Sequence, residues 1–493
     1  MALLAGLDIG TSSVKGLLIS DEGEVVARAS VAHPLSTPRP GWAEQDPERW
    51  WTGAQEVLAE LRRAGPIAGI GLSGQMHGLV ALDAAGGVLR PAILWNDGRT
   101  GAECAEIEAL LGLDELIALT GNRALPGFTA PKLRWMKRHE PELYGQIAHV
   151  LLPKDYVRLR LCEEYATDVS DASGTLLFDV ARRRWSSEVS GALDVDEAWL
   201  PDALESPCAS GETANGVPVA AGAGDQAAGA LGVGVDRPGG RVGMVSVVLG
   251  TSGVVFAASD AFAADEAARV HAFCHAVPGV WHSMGVMLSA AGSLSWLRDT
   301  FCADIGFATL VGEAASWGPG AEGLTFLPYL AGERTPHADP DARGSFTGLS
   351  LRHDRGALVR AVLEGVALGL RDSLDLVSQM TSHPLRPALG RVSGGGARSD
   401  LWLRILASVL ELALQRTAVD EGASFGAALL GGVAAGVFAD VHEAVAACVR
   451  PGEVVEPDPA WVAPYRELRE RYVALYPALH PPPVNAPPRD SRG

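Results

Sequence analysis

The sequence predicts an α/β fold made of two similarly folded halves that face one another across a cleft. Three observations carry this: the length of the chain, a strand-rich opening segment, and a second copy of that segment half a chain later. At 493 residues the chain exceeds the size at which one hydrophobic core stops growing, so two large domains are expected. Hydrophobic residues at 47% and charged residues at 20% place it among folded globular proteins rather than disordered, collagenous or coiled-coil chains.

The first thirty residues read as three strand-like runs, LLAGLDI, VKGLLIS and EVVARAS, separated by GTSS and DEG. No helix has room between the first two runs. The Gly-Thr-Ser turn therefore joins two strands as a hairpin, unlike a dinucleotide-binding unit, in which a glycine-rich turn opens a helix. The stretch Ile9-Gly10-Thr11-Ser12-Ser13-Val14 is echoed 240 residues later by Leu249-Gly250-Thr251-Ser252-Gly253-Val254. Each copy begins a strand meander, which predicts two facing halves. The copies differ at one position of chemical consequence: Asp8 precedes the first turn, whereas Val248 precedes the second.

The boundary between halves is expected near Pro238-Gly239-Gly240, a point that could hinge. The expected domains are 1–238 and 241–440, followed by a helical extension over 441–480. The proline-rich stretch 481–493 reads as a loose tail. The apolar run Phe425 to Phe438 is shorter than the roughly 20 residues needed to cross a bilayer and reads as a tightly packed helix. The opening MALLAGLDIG has no basic leader and carries Asp8, so export is not expected. Six scattered cysteines, at 104, 162, 208, 274, 302 and 448, have no metal-ligand spacing and read as reduced thiols of a cytoplasmic protein. A net charge of -19 opposes binding to nucleic acid and leaves room only for local anion sites.

Backbone N–H groups in a Gly-Thr-Ser turn converge on one point, and two such turns on facing halves could hold a polyphosphate between them. No GxxxxGK[ST] sequence is present, so a P-loop is excluded as the phosphate device. A third glycine cluster, Gly394-Gly395-Gly396-Ala397-Arg398-Ser399, follows a strand-like run and precedes a helical one, with Ser399 or Asp400 able to cap it. Strand, loop and helix start together suit a nucleotide. Asp225 stands at a strand-to-helix junction between glycines. It reads either as a helix cap or as a general base in a cleft. Two further loops, Gly74-Gln75-Met76-His77-Gly78 and Leu94-Trp95-Asn96-Asp97-Gly98-Arg99, offer imidazole, amide and carboxylate for sugar hydroxyls and the Trp95 ring for a carbon face.

These loops, in this order, resemble the FGGY carbohydrate kinases, whose two similar domains have the ribonuclease H-like ATPase fold of actin and hexokinase. The resemblance runs from Gly6 to about Gly436. It extends to Arg90–Arg99, Pro126–Leu133, Leu151–Tyr156 and Gly332–His337, and includes Lys132 and Trp135 of the family's N-terminal pattern. In the C-terminal pattern Ala357 stands where a polar residue usually begins the helix leading to Glu364. The resemblance implies a sugar-binding first domain and an ATP-binding second domain. It makes Asp225 the catalytic base and Asp8 a second essential carboxylate that holds Mg2+ mostly through water. Met76 and His77 would contact the sugar, Thr11 and Ser12 the phosphates of ATP, and Gly250, Thr251, Gly395, Gly396, Arg398 and Ser399 the rest of the nucleotide. The implied activity is transfer of the γ-phosphoryl group of MgATP to the 5-hydroxyl of D-xylulose in D-xylose catabolism. Ribulose, glycerol and gluconate are the alternative acceptors, and a filament or chaperone ATPase of the same fold is the alternative class. No membrane partner is expected, and the assembly is read toward a homodimer.

Overall fold

The computed structural model describes residues 1–237, 243–380, 387–419 and 421–480. The boundary and hinge read at Pro238-Gly239-Gly240 and the tail read over 481–493 lie outside the described residues.

The first half contains β1 (Leu3–Ile9), β2 (Ser13–Ser20), β3 (Val25–Ala32), α1 (Pro47–Ala64), β4 (Gly69–Gly74), α2 (Thr129–His139), α3 (Pro153–Cys162), β5 (Ala209–Glu212), β6 (Pro218–Ala220), β7 (Ala223–Gly224) and α4 (Asp225–Gly232). The strands form one sheet in the order β5-β6-β4-β1-β2-β3, with β7 also beside β4. The first turn is a hairpin as expected: β1 and β2 pair antiparallel from Leu3↔Ser20 to Ile9↔Val14. The first helix shows how local chemistry sets an element. Asp46 caps it by accepting from the Glu48 amide at 3.0 Å, Pro47 occupies its first turn, and Arg62 and Arg63 face the negative end of its dipole. Its apolar stripe, Trp50, Ala54, Val57, Leu58 and Leu61, is buried.

The second half contains β8 (Gly243–Leu249), β9 (Gly253–Ser259), β10 (His271–Cys274), β11 (Trp281–Met287), α5 (Ala291–Phe301), α6 (Arg355–Val377), β12 (Pro387–Ser393), α7 (Asp400–Leu410), β13 (Ala413–Thr417), α8 (Gly422–Ala434), α9 (Val441–Cys448), β14 (Pro451–Val455) and α10 (Pro459–Leu479). The sheet order is β10-β11-β9-β8-β12-β13-β14. The second Gly-Thr-Ser turn is again a hairpin, closing β8 onto β9 with Leu249 opposite Gly253. The cap missing at Ala357 is supplied by Asp354, whose Oδ1 accepts from the Ala357 amide at 3.0 Å. The extension expected to be helical also contributes β14, an edge strand paired with β13.

The division of the chain and the division of space do not coincide. Helix α8 belongs by sequence to the second half but packs on β1, β4 and α4 of the first, and Phe425, Leu429 and Leu430 join the first half's core with Val441 and Val445 of α9. Glycines make this approach possible. A Cβ on Gly71 would stand 1.7 Å from the Ala427 carbonyl oxygen, and one on Gly6 1.9 Å from that of Ser424. Backbone cannot yield as a side chain does. Gly71→Ala is therefore expected to cost at least about 3 kcal/mol, the upper end of overpacking penalties, read as a lowered melting midpoint; an unchanged midpoint would refute so close a contact.

Candidate active site

The site is assembled at the carboxyl ends of three neighbouring parallel strands, where open α/β sheets leave a crevice. In register, Asp8 of β1 lies beside Ser73 of β4, and Ala223 and Gly224 of β7 lie beside Ser73 and Gly74. Asp8 and Asp225 thus flank the end of β4, two strand spacings or roughly 10 Å apart. Ser73 Oγ donates to Asp8 Oδ1 at 3.3 Å. Burial raises the Asp8 carboxyl above the usual carboxylate range, and the charge of Lys15 opposes the rise. Lys15 is paired directly with Asp8 in the hairpin, a placement that sequence reading missed although the alternation along β2 contains it.

Of the two readings of Asp225, capping is not the one realised. The cap position of α4 is Gly224, with no side-chain cap, and Asp225 is the helix's first residue. Burial and then repulsion from Asp8 lift its carboxyl to about 7, against hydrogen bonds from Gln226. That is the range in which a carboxylate works as a base at neutral pH.

Beside Asp225 lies the Met76-His77 loop. A Cβ on Gly224 would stand 2.9 Å from Met76 Cγ and Sδ, and one on Gly174 would stand 2.4 Å from His77 Nδ1. His77 adopts a left-handed backbone at φ 69°. Helix α2 holds it there: Thr129 Oγ1 and Lys132 Nζ donate to the His77 carbonyl at 3.1 and 2.7 Å, and Lys132 also donates to the Gly127 carbonyl at 2.6 Å. His77 Nδ1 lies 2.6 Å from the Gly174 carbonyl. A carbonyl only accepts, so Nδ1 carries the proton and Nε2 keeps its lone pair. Burial holds the ring well below the usual imidazole range, so His77 stays neutral, ready to accept from a hydroxyl.

Other expected contacts divide into engaged and available groups. Trp95 Nε1 donates to Thr11 Oγ1 at 3.0 Å, and Thr11 Oγ1 donates to Gln75 Oε1 at 3.1 Å. Gln75 Nε2 donates to Gln45 Oε1 at 3.0 Å, and Gln45 Nε2 returns to the Thr11 carbonyl at 2.6 Å. The Thr11 hydroxyl therefore braces the hairpin turn against both sugar loops. Asp97 is also occupied: its oxygens accept from the Ala43 amide at 2.6 Å and from the Arg99 guanidinium at 2.9 and 2.6 Å. Ser12 and Asn96 are exposed.

Across the cleft, parallel pairing of β8 with β12 sets Val248 beside Ser393. Gly394, at φ 91°, packs so tightly that its Cβ would stand 2.8 Å from the Leu249 carbonyl and 3.0 Å from Gly250 N. The Gly250-Thr251 turn and the Gly395-Gly396 loop are thereby brought together. Thr251, Gly395 and Arg398 are exposed, whereas the Ser399 hydroxyl caps α7 by accepting from Trp402 N at 3.2 Å. Asp8, Lys15, Arg28, Gly394, Gly395 and Arg398 share a cavity of about 670 Å³. Its lining combines two carboxylates, Asp8 and Glu421, with three cations, of which Arg28 is paired with Glu421 at 3.0 Å. Among the described residues no cluster of three or more His, Cys, Asp or Glu forms a protein-only metal cage. Asp8 instead fits a divalent ion that takes one carboxylate and shares phosphate oxygens.

Next to Asp225 lies a fully buried charge cluster. Lys154 Nζ is 2.6 Å from Asp155, 2.8 Å from Asp168 and 3.2 Å from Asp171. Ser170 Oγ donates to Asp168 Oδ2 at 2.5 Å and accepts from Gly224 N at 3.2 Å. The cluster thus reaches the residue immediately before Asp225.

Residues 3–232 match the N-terminal domain, and residues 245–435 the C-terminal domain, of the FGGY family of carbohydrate kinases. A xylulose kinase of Escherichia coli (strain K12) is 44% identical over 495 residues, covering 97% of this chain and 99% of the relative. The crystal structure of xylulose kinase from Rhodospirillum rubrum aligns with a TM-score of 0.88 at 36% identity, over 97% of this chain and 99% of that one. Gluconate kinase from Lactobacillus acidophilus aligns with a TM-score of 0.90 at 26% identity, over 97% and 98% of the two chains.

Proposed function

Since the chain belongs to the FGGY family of carbohydrate kinases, we propose that it phosphorylates D-xylulose with ATP, giving D-xylulose 5-phosphate and ADP. The observation that carries the reading is Asp225: a carboxyl lifted to about 7 by burial and by Asp8, at a strand end where Gly224 packs on Met76. The substrate class follows the curated relatives, which act on xylulose at 44% and 42% identity over nearly the full chain.

Phosphoryl transfer asks the protein mainly for alignment and charge neutralisation. Asp225 accepts the proton of the 5-hydroxyl as its oxygen bonds to the γ-phosphorus and the bond to the β-phosphate oxygen breaks. ADP departs, and Asp225 later gives its proton to water. His77 Nε2 accepts from a neighbouring sugar hydroxyl and keeps the chain in line. Lys15 and Arg398 neutralise phosphate charge from both sides of the cavity. Kinases of this family use ATP with a divalent metal; we assign Mg2+, held by Asp8 through water, where it would offset charge on the phosphate oxygens. A homodimeric assembly, checked by light scattering, and a cytoplasmic location, supported by six free cysteines, complete the reading.

The test is ADP release with ATP, Mg2+ and a panel of D-xylulose, L-ribulose, D-ribulose, glycerol and gluconate. Preference for D-xylulose is expected, and preference for another acceptor would overturn the substrate. The same assay gives the pH dependence. Only ionised Asp225 takes a proton, so kcat/KM for the sugar should fall about tenfold per unit below about pH 6 and level off above about pH 8. A flat profile from about pH 5.5 to 8 would remove Asp225 from this role. For stability the sign is opposite. A carboxyl raised on folding from 3.8 to about 7 opposes folding progressively as pH rises through that interval.

A further inference from the structure

A second cleft, of about 400 Å³, opens beside the sugar loops, lined by Trp95, Asn96 and Gly127 of the first half and by His271, Glu333 and Arg334 of the second. Arg334 starts from a firmly held segment. Glu333 and Asp339 exchange backbone hydrogen bonds at 2.8 Å, Thr335 N donates to the Val286 carbonyl at 3.1 Å, and Thr335 Oγ1 donates to the Arg269 carbonyl at 2.7 Å. The side chain crosses to the first half: a Cβ on Gly127 would stand 3.4 Å from Arg334 Nη2. The Gly127 carbonyl there is already taken by Lys132.

Among the described residues the Arg334 guanidinium has no hydrogen-bond or ion-pair partner. Glu333 favours its charge, but Glu333 Oε1 is taken by the Leu288 and Arg334 backbone amides at 3.0 and 2.8 Å. The Arg334 charge acts on His77, Lys132 and His271, and burial lifts the adjacent Glu333 carboxyl to about 8, leaving that group mostly neutral. An unpaired charged fork in a cleft is costly, and a ligand presenting two adjacent oxygens would relieve the cost. His271 adds the complementary acceptor. Asn122 Nδ2 donates to the Thr120 and Ala272 carbonyls, so Asn122 Oδ1 accepts from His271 Nδ1 at 2.7 Å and His271 Nε2 keeps its lone pair.

Resting on the kinase reading above, we propose that Arg334 is a ketose-recognition residue supplied by the second half. With the 5-hydroxyl at Asp225 and the middle of the sugar at His77, the far end of an extended ketopentose reaches the second cleft. There the guanidinium binds the C2 carbonyl and C1 hydroxyl oxygens while His271 Nε2 accepts from the C1 hydroxyl. The open-chain ketone is thereby selected over the alditols, which lack that carbonyl, and sugar binding draws the two halves onto one ligand.

The test compares wild type, Arg334→Met and Arg334→Lys with D-xylulose and its alditols, xylitol and D-arabitol. KM for D-xylulose should rise roughly ten- to a hundredfold in both variants, the value of one or two charge-assisted hydrogen bonds. KM for ATP should stay within about twofold, and the preference for ketose over alditol should collapse. Removing a half-buried charge that has no hydrogen-bonding partner should leave the ligand-free melting midpoint of Arg334→Met unchanged or higher, while its rise with D-xylulose is lost. Unchanged KM for D-xylulose, or a lowered ligand-free midpoint, would overturn the proposal in favour of a structural strut. Wild-type protein inactive on D-xylulose would instead overturn the kinase reading, and this inference with it.

Discussion

Asp225→Asn is expected to lose about 10²- to 10⁴-fold in kcat for sugar phosphorylation, the range that general bases contribute, while ATP affinity stays within about twofold. The amide preserves shape at the head of α4 but cannot take the hydroxyl proton. The Asp225 carboxyl accepts from the Gln226 backbone at the head of α4, and the asparagine carbonyl can accept that bond in its place, so a folding defect does not confuse the result. Burial and the proximity of Asp8 already disfavour charge at this position, so the neutral variant should melt no lower than wild type above about pH 7. Single-turnover phosphoryl transfer and ATP titration separate the two effects. A kcat within about threefold of wild type would exclude the base assignment, and a parallel loss of ATP affinity would move Asp225 to the nucleotide.

The second large effect is on stability. Lys154→Met should cost about 3–5 kcal/mol, the penalty for breaking a buried ion pair by removing one partner, because it strands three carboxylates. Asp155, Asp168 and Asp171 are all fully buried around Nζ. Arg158, the other cation, comes no closer than 3.8 Å to Asp155. Burial and mutual repulsion already push Asp171 well above the usual carboxylate range. Losing Lys154 would force further protonation, so the deficit should grow as pH rises. Urea denaturation at two pH values reads this directly, and a loss under about 1 kcal/mol would refute the electrostatic account. The double variant Lys154→Met/Asp168→Asn should recover part of the loss. Because Ser170 ties this cluster to Gly224, Lys154→Met should also lower kcat.

Elements set by neighbouring residues could be read from the chain. Both Gly-Thr-Ser turns form hairpins, Asp225 stands at a strand-to-helix junction, and Ser399 caps the helix after the third glycine loop. Each depends on interactions within a few residues, so the sequence carries the whole cause. The Met76-His77 loop was legible as chemistry, but its geometry was not. The left-handed backbone of His77 and its neutral tautomer come from Thr129, Lys132 and Gly174, residues distant in the chain. The same holds for Thr11 and Asp97, whose side chains proved to be occupied by Trp95, Gln75 and Arg99.

By itself the sequence determined two mixed α/β halves, the asymmetric carboxylates Asp8 and Asp225, and the glycine loops, because spacing and turn chemistry act locally. Only the tertiary structure decided that α8 closes the core of the first half and that Arg334 reaches the cleft beside the sugar loops. Those outcomes depend on which backbones can touch at a glycine and which charges lose their water together, encounters between segments hundreds of residues apart that no local pattern encodes.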